Sequence, residues 1–152
     1  MALKIRKDYH DQFPVFLTLM HGGMLFAARL ALEMGIDAEF DYLHATRYHG
    51  ETKGSGLAWL HRPATIIEGR SVLLVDDILD EGHTLKAVRD WCEDQGAIKV
   101  KIAVMTTKQH DRCVPGLKAD YSGLYVPDRY IFGYGMDINE HGRNLPGIYA
   151  LS

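Results

Sequence analysis

Cysteine and proline are scarce, with two cysteines and five prolines among 152 residues. Cys92 and Cys113 fit neither a zinc nor a CxxC spacing and supply no disulfide framework, so a reducing, cytoplasmic setting is expected. Cys113 follows His110 at i+3, a spacing that matches no known nucleophile signature, and Cys92 falls on an apolar helical stripe. The eight histidines show no HxH or HExxH pattern, so no dedicated zinc site is expected. An excess of one charge is missing too. A net charge of −3 offers no basic surface to nucleic acid, and Lys4, Arg6 and Lys7 read as a solvated helix face. The longest apolar stretch, Val15–Met34, is interrupted by His21, Gly22, Gly23, Arg29 and Glu33, and is too polar to span a membrane. The charged first residues argue against a secretory leader. With no repeat, low-complexity tract or linker, one domain over residues 1–152 is expected.

A hydrophobic fraction of 47% against 24% charged residues suits a chain of this length with a core of its own. Val15–Met20 reads as a buried strand entering the turn His21-Gly22-Gly23. Met24–Met34 carries apolar residues at helical spacing, with Gly35 as its C-cap. Ala38–Ala45 reads as a strand, and Tyr48–Gly56 as a polar, glycine-rich surface loop. Ala64–Glu68 and Val72–Val75 are read as two strands around a Gly-Arg turn. Leu85–Gln95 is an amphipathic helix stopped by Gly96, and Lys99–Thr107 and Tyr130–Tyr134 are further strands. The β–α–β unit from Val72 to Thr107 implies a parallel pair with a right-handed crossover. The expected fold is α/β, a mostly parallel twisted sheet flanked by helices.

The stretch Val72–Thr84, VLLVDDILDEGHT, concentrates the chemistry. An apolar run delivers Asp76 and Asp77 toward the carboxyl end of a strand, the edge where open α/β sheets bind ligands. Adjacent carboxylates there repel one another and resist desolvation unless a cation or sugar hydroxyls pair with them. Asp80-Glu81-Gly82-His83-Thr84 then opens a helix. Gly82 lets backbone N–H groups approach an anion, Thr84 adds a hydroxyl, and the helix dipole favours a phosphate. One loop thus offers acceptors for sugar hydroxyls and a cradle for phosphate, the two ends of a ribose 5-phosphate. The plainer alternative is that Asp76 and Asp77 end a strand and Asp80 caps the helix.

This stretch resembles the phosphoribosyl pyrophosphate signature of type I phosphoribosyltransferases. Leu19-Met20-His21-Gly22-Gly23 is similar to the first active-site loop of the hypoxanthine-guanine members. Lys108, Asp120-Tyr121, Val126–Asp137 and Asn139-Glu140 with Arg143-Asn144-Leu145 resemble their C-terminal part. The resemblance runs from about Val15 to the C-terminus and implies a Rossmann-like fold with a small C-terminal hood. It implies that Asp76 and Asp77 hold the ribose hydroxyls near magnesium and that Asp80, Glu81, Gly82, His83 and Thr84 bind the 5′-phosphate. Asp80 would also be the general base or acid at purine N7. Lys108 would donate to the 6-oxo group, Tyr130 would stack on the purine, and the Ile131 backbone would meet the 2-position. Met20, His21 and Gly22, in a loop where the family often has a non-proline cis peptide, would take the pyrophosphate with Arg143. Asp137 would join Asp76 and Asp77 at magnesium, and Arg47 and Tyr48 would open the loop that closes the site. Read singly, Lys108 is a solvated lysine and YIFGY a core strand.

Four positions depart from the family pattern. Glu81 stands where threonine is common and is expected to point away from the phosphate or to be protonated. His83 and His21 stand where lysine is frequent, and Arg47-Tyr48 where Ser-Tyr is common. Family members usually carry a longer helical N-terminus, so an N-terminal helix is expected to be missing, with one sheet face exposed. The resemblance implies substrates phosphoribosyl pyrophosphate and a purine base, no nucleic-acid or membrane partner, and a homodimer or homotetramer. The alternatives are a relative that prefers xanthine, adenine or a pyrimidine, and a regulator of this fold that binds nucleotide or RNA without catalysis.

Overall fold

The computed structural model describes residues 1–47 and 56–152. A short helix α1 (Ala2–Asp8) leads into β1 (Val15–Leu19), α2 (Met24–Met34), β2 (Glu39–Arg47), β3 (Leu57–His61) and β4 (Ser71–Leu79). Helix α3 (His83–Asp94) follows, then β5 (Lys99–Gln109), β6 (Tyr121–Pro127), β7 (Ile131–Phe132) and β8 (Tyr149–Ala150). The main sheet has the order β3-β2-β1-β4-β5-β6, and β7 pairs with β8 in a separate two-stranded sheet. Every main-sheet pairing is parallel except β2 with β3. The expected mostly parallel α/β architecture is present.

Alternation along the central strands explains both layers. Val15, Leu17 and Leu19 of β1, Val72 and Leu74 of β4, and Ile102 and Val104 of β5 pack against Leu85, Val88 and Cys92 of α3. Phe16, Leu73, Val75 and Ala103 point to the other face, against Ala27, Leu30 and Met34 of α2 and Ile5 and Tyr9 around α1. Burial on both faces makes β1 and β4 continuous apolar runs, as in sheets covered on both sides. Gly35, at φ 60°, ends α2 in the left-handed conformation that glycine adopts without steric cost. Arg6 donates to the carbonyls of Met34 and Glu33, so α1 satisfies the free end of α2. The face expected to lie bare for want of an N-terminal helix is therefore covered by α1 and α2. Lys4, Arg6 and Lys7 are exposed along α1, as the sequence suggests.

Several element boundaries differ from expectation. Ala64–Glu68 is not a strand. Ile66 is 78% exposed and the Thr65 N–H donates to the Asp41 carboxylate instead of a ladder carbonyl, while Ile67 alone is buried. The strand in this region is β3, which borders β2. Strand β4 continues through Asp76 and Asp77 to Leu79, because Asp76, Ile78 and Leu79 still pair with Val104, Thr106 and Thr107 of β5. Lys108 accordingly lies within β5 instead of past its end. β6 is an edge strand with Gly123, Leu124 and Tyr125 exposed, so its sequence carries no clean alternation. Tyr130–Tyr134 contracts to the two residues of β7, since Gly133 and Tyr134 take positive φ and leave the ladder. Helix α3 begins two residues earlier than read.

Candidate active site

The chain runs from β1 outward to β2, and from β4 in the opposite direction to β5. Between β1 and β4 the order reverses, which is the switch point where open α/β sheets form a crevice at their strand carboxyl ends. Three segments meet there: the loop after β1, the end of β4 with the turn into α3, and the hood after β6. A side chain on Gly22 would overlap the Asp77 carboxylate, and one on Gly135, at φ 102°, would overlap the Gly22 carbonyl. The Met20-His21 peptide is cis, the form the family resemblance implies for this loop.

Asp76 and Asp77 sit side by side near the end of β4. The Asp77 N–H donates to Asp76 Oδ1 at 2.8 Å, and the Thr106 hydroxyl donates to the Asp77 carbonyl. Burial raises the Asp76 carboxyl well above the ordinary carboxylate range, and the charge of Asp77 adds to this. Burial also raises Asp77, opposed in part by the positive charge of Arg143. Two acids kept together under these conditions fit a hard cation or the hydroxyls of a sugar.

The turn that follows builds a cleft of about 420 Å³, lined by Arg47, Asp76, Ile78 and the run Asp80–Leu85. Every residue expected to cradle the 5′-phosphate borders it. Gly82 adopts φ 80° at the N-cap of α3, and any side chain there would overlap Leu117. No side chain caps this helix end, so the reading of Asp80 as a helix cap is excluded. The first residues of α3, His83–Leu85, border the cleft, which brings the electropositive end of a helix to it. Glu81 turns toward the His83 ring (Nε2 at 3.5 Å) and the Arg112 guanidinium (Nε at 3.8 Å), so its carboxylate is directed to the Arg112 charge at the cleft edge.

Asp80 is held from two sides. Lys108 Nζ donates to Oδ2 at 2.7 Å, and His110 Nε2 lies 2.6 Å from Oδ1. Burial raises the Asp80 carboxyl, but the hydrogen bonds from Lys108 and His110 outweigh it and hold the group below its ordinary range. Lys108 is only 12% exposed, which rules out a freely solvated lysine. Asp80, His110 and Asp128 form the one cluster of three or more metal-ligating side chains among the described residues, with ligand atoms within 4.8 Å. Its acids are already engaged, Asp80 by Lys108 and Asp128 by both terminal nitrogens of Arg112.

Asp137 lies apart from Asp76 and Asp77 in the hood. Its Oδ1 is 3.5 Å from Arg143, which also donates to the Gly135 carbonyl and approaches Glu140. Tyr130 is half-exposed and its hydroxyl donates to the Asp137 carbonyl. The Ile131 side chain is buried with Met105 and Met136, and its backbone lies in the β7–β8 ladder opposite Ala150. Arg47 ends β2 and reaches the cleft, while Tyr48 lies outside the described residues.

Four neighbours are not evident from sequence motifs. His44 of β2 has its ring 4.4 Å from that of His21. Burial lowers its pKa, with help from the charges of His21 and Arg143. His110 stands two residues beyond Lys108, in the bend just past the end of β5, and both side chains reach Asp80. Arg112 and Asp128 tie the segment after β5 to the hood. Burial raises the Cys113 thiol pKa and its Sγ donates to the Leu117 carbonyl at 3.8 Å, an environment that does not activate a nucleophile.

The phosphoribosyl transferase domain matches residues 1–139. The chain is 36% identical to a hypoxanthine-guanine phosphoribosyltransferase of Streptococcus pneumoniae, over 99% of this chain and 84% of that protein. It is likewise 36% identical to the Lactococcus lactis enzyme of the same name, over 97% and 80%. Among solved structures, a hypoxanthine phosphoribosyltransferase from Staphylococcus aureus superposes with a TM-score of 0.91 at 28% identity, covering 99% of this chain and 82% of that one. A hypoxanthine-guanine phosphoribosyltransferase from Bacillus anthracis gives 0.90 at 31% identity, covering 99% and 89%. With its motifs in order along a matching fold, the chain belongs to the phosphoribosyl transferase family, among the hypoxanthine-guanine phosphoribosyltransferases.

Proposed function

We propose that this chain transfers the 5-phosphoribosyl group from phosphoribosyl pyrophosphate to hypoxanthine or guanine. The products are IMP or GMP and pyrophosphate, and the reaction serves purine salvage. The observation that carries this reading is Asp80. Its carboxylate is held by Lys108 at 2.7 Å on the border of a cleft whose other walls are Asp76 and the N-terminal turn of α3.

In the reaction a purine ring nitrogen bonds to C1 of the ribose, the bond from C1 to pyrophosphate breaks, and the purine loses the N7 proton. Asp80 takes that proton, and Lys108 donates to the 6-oxo group. A 6-amino group would present a donor to a donor, which disfavours adenine. The Asp80–Thr84 turn receives the 5′-phosphate through backbone N–H groups at the helix end. Asp76 and Asp77 orient the ribose hydroxyls. His21, with the amides around Gly22, and Arg143 face the pyrophosphate, and Arg is suited to phosphate oxygens. Tyr130 stacks on the base and the Ile131 backbone meets its 2-position. Arg47, at the end of β2, borders the cleft beside the phosphate-binding turn.

Magnesium suits this site. The Asp76–Asp77 pair is desolvated and the charge of one acid burdens the other, and Asp137 offers another oxygen ligand beside Arg143. Asp76 and Asp77 on β4, and separately Asp137 in the hood, would each meet it through substrate phosphates and waters, the usual mode for a cation that keeps several waters. When bound, magnesium neutralises charge on the leaving pyrophosphate.

One domain acting in the cytoplasm as a homodimer or homotetramer completes the reading. Phe40 and Met24 are about half-exposed around an apolar groove between α2 and β1, a surface that a second copy would cover. No helix among the described residues is long and apolar enough to cross a membrane. The test is to mix the purified chain with phosphoribosyl pyrophosphate, magnesium and each purine base in turn and to follow nucleotide formation, with and without a chelator. Hypoxanthine and guanine should turn over and adenine should not, and chelation should abolish the reaction. Absence of turnover with every base, alongside tight RNA binding, would replace this reading with a regulator.

A further inference from the structure

His110 makes a contact that the reaction as described leaves unused. Its side chain is 4% exposed, it sits two residues past Lys108, and it places Nε2 2.6 Å from Asp80 Oδ1. Its tautomer follows from its second bond. The Arg112 backbone N–H donates to His110 Nδ1 at 3.1 Å, so Nδ1 carries no proton and Nε2 is the donor to Asp80. Arg112 is itself fixed, because its guanidinium donates to both oxygens of Asp128 at 2.8 and 2.9 Å. A chain of hydrogen bonds therefore runs from the hood through Arg112 and His110 to one oxygen of Asp80, while Lys108 holds the other.

The two donors to Asp80 differ in what substrate asks of them. Lys108 must turn part of its hydrogen-bonding capacity to the purine 6-oxo group. His110 has no such second partner, and its ring orientation is fixed from behind. We infer that His110 is a positioning residue, which keeps the Asp80 carboxylate aimed at purine N7 when Lys108 is recruited by the base. This rests on the proposed reading of Asp80 as the proton acceptor. A base must be held within hydrogen-bond reach of its proton, and the orienting partner of a catalytic group is commonly buried and hydrogen-bonded in this way. His110 is also a donor to the charged form of Asp80, so it favours the carboxylate over the acid. The charged groups around this contact are Lys108 from β5, Arg112 and Glu81 at the cleft edge, and Asp128 from the hood.

The experiment compares His110→Leu, which fills the space without a donor, with His110→Gln, which restores a side-chain N–H. His110→Ala serves as a second donor-free variant should the leucine chain not fold. The readouts are kcat, KM for each substrate, and the acid limb of the kcat/KM profile, alongside an Asp80→Asn control. The donor-free variants should lose about 10-fold in kcat, the low end of what a hydrogen bond to a charged group contributes. The KM for phosphoribosyl pyrophosphate should stay put, the acid limb should move to higher pH, and His110→Gln should recover most of the loss. Unimpaired donor-free variants beside an inactive Asp80→Asn overturn the role of His110 alone. So does an equal loss in folded His110→Gln, which would mark a packing role. An Asp80→Asn chain with full turnover removes the reading of Asp80 and this inference with it.

Discussion

Gly22 touches Asp77 so closely that a methyl group on the glycine would overlap the carboxylate. Gly135 seats against the carbonyl of the same glycine. The loop after β1, the acids of β4 and the hood are thus mutually fitted with no spare volume. Gly22→Ala should push the loop or Asp77 aside. Displacements near 1 Å at a reacting centre can cost about 10²-fold, so kcat/KM for phosphoribosyl pyrophosphate should fall by at least roughly 10-fold. Steady-state kinetics with this substrate varied decide it, and an unchanged value would show that the fit has no bearing on binding.

Asp76 and Asp77 place function against stability. Asp76→Asn removes a charge from the buried pair while keeping an oxygen to accept the Asp77 N–H. A carboxyl whose pKa is raised on folding weakens the fold as pH rises through that raised value, because the native state binds the extra proton. The variant should therefore melt higher than the parent, by about 2–4 °C for each kcal/mol relieved. The gap should widen as pH rises from the ordinary carboxylate pKa of 3.8 to pH 8, and nucleotide formation should drop. Thermal unfolding at the two pH values checks the sign. A lower melting point at pH 8 would mean that the pair is already compensated in the free protein.

Asp80→Asn keeps an acceptor for one donor but cannot take a proton. Turnover should fall by roughly 10²–10⁴-fold, the usual contribution of a positioned general base. The fold should persist, since Asp80 lies at the cleft and outside the core clusters. Activity and circular dichroism on the same sample separate the two effects.

Asp8 anchors α1 to the sheet. Tyr121 donates to its carboxylate at 2.6 Å and Lys101 approaches at 3.4 Å, and these hold Asp8 below its ordinary pKa of 3.8. A lowered folded pKa contributes stability that is present above about pH 3.8 and is lost as pH falls through the folded value. Tyr121→Phe should reduce stability at pH 7 and flatten the loss on acidification. Urea midpoints between pH 3 and pH 7 measure this, and identical slopes for parent and variant would exclude the Tyr121 contribution.

What was legible in the sequence was local. β1, α2, α3 and β5 announce themselves through the period of their apolar residues, because each buries a face set by its own backbone geometry. The Asp76–Thr84 turn is legible for the same reason: one continuous segment carries the acids, the glycine and the helix start. Edge strands β3 and β6 are not, since half their surface meets solvent and a neighbouring strand supplies their hydrogen bonds. Ala64–Glu68 has strand-like residues and no ladder, its Thr65 N–H having been claimed by Asp41.

The sequence by itself determined the class of chemistry, through contiguous residues on one strand–turn–helix. Tertiary structure alone decided how Asp80 is held. His110 is 30 residues away and reaches Asp80 only because β4 and β5 pair as far as Leu79 and Thr107. Arg112 and Asp128, and Gly22 with Gly135, likewise meet only once the hood closes on the sheet. Contacts of that span have no period to betray them; they exist because chain closure brings together groups whose partners are set by packing.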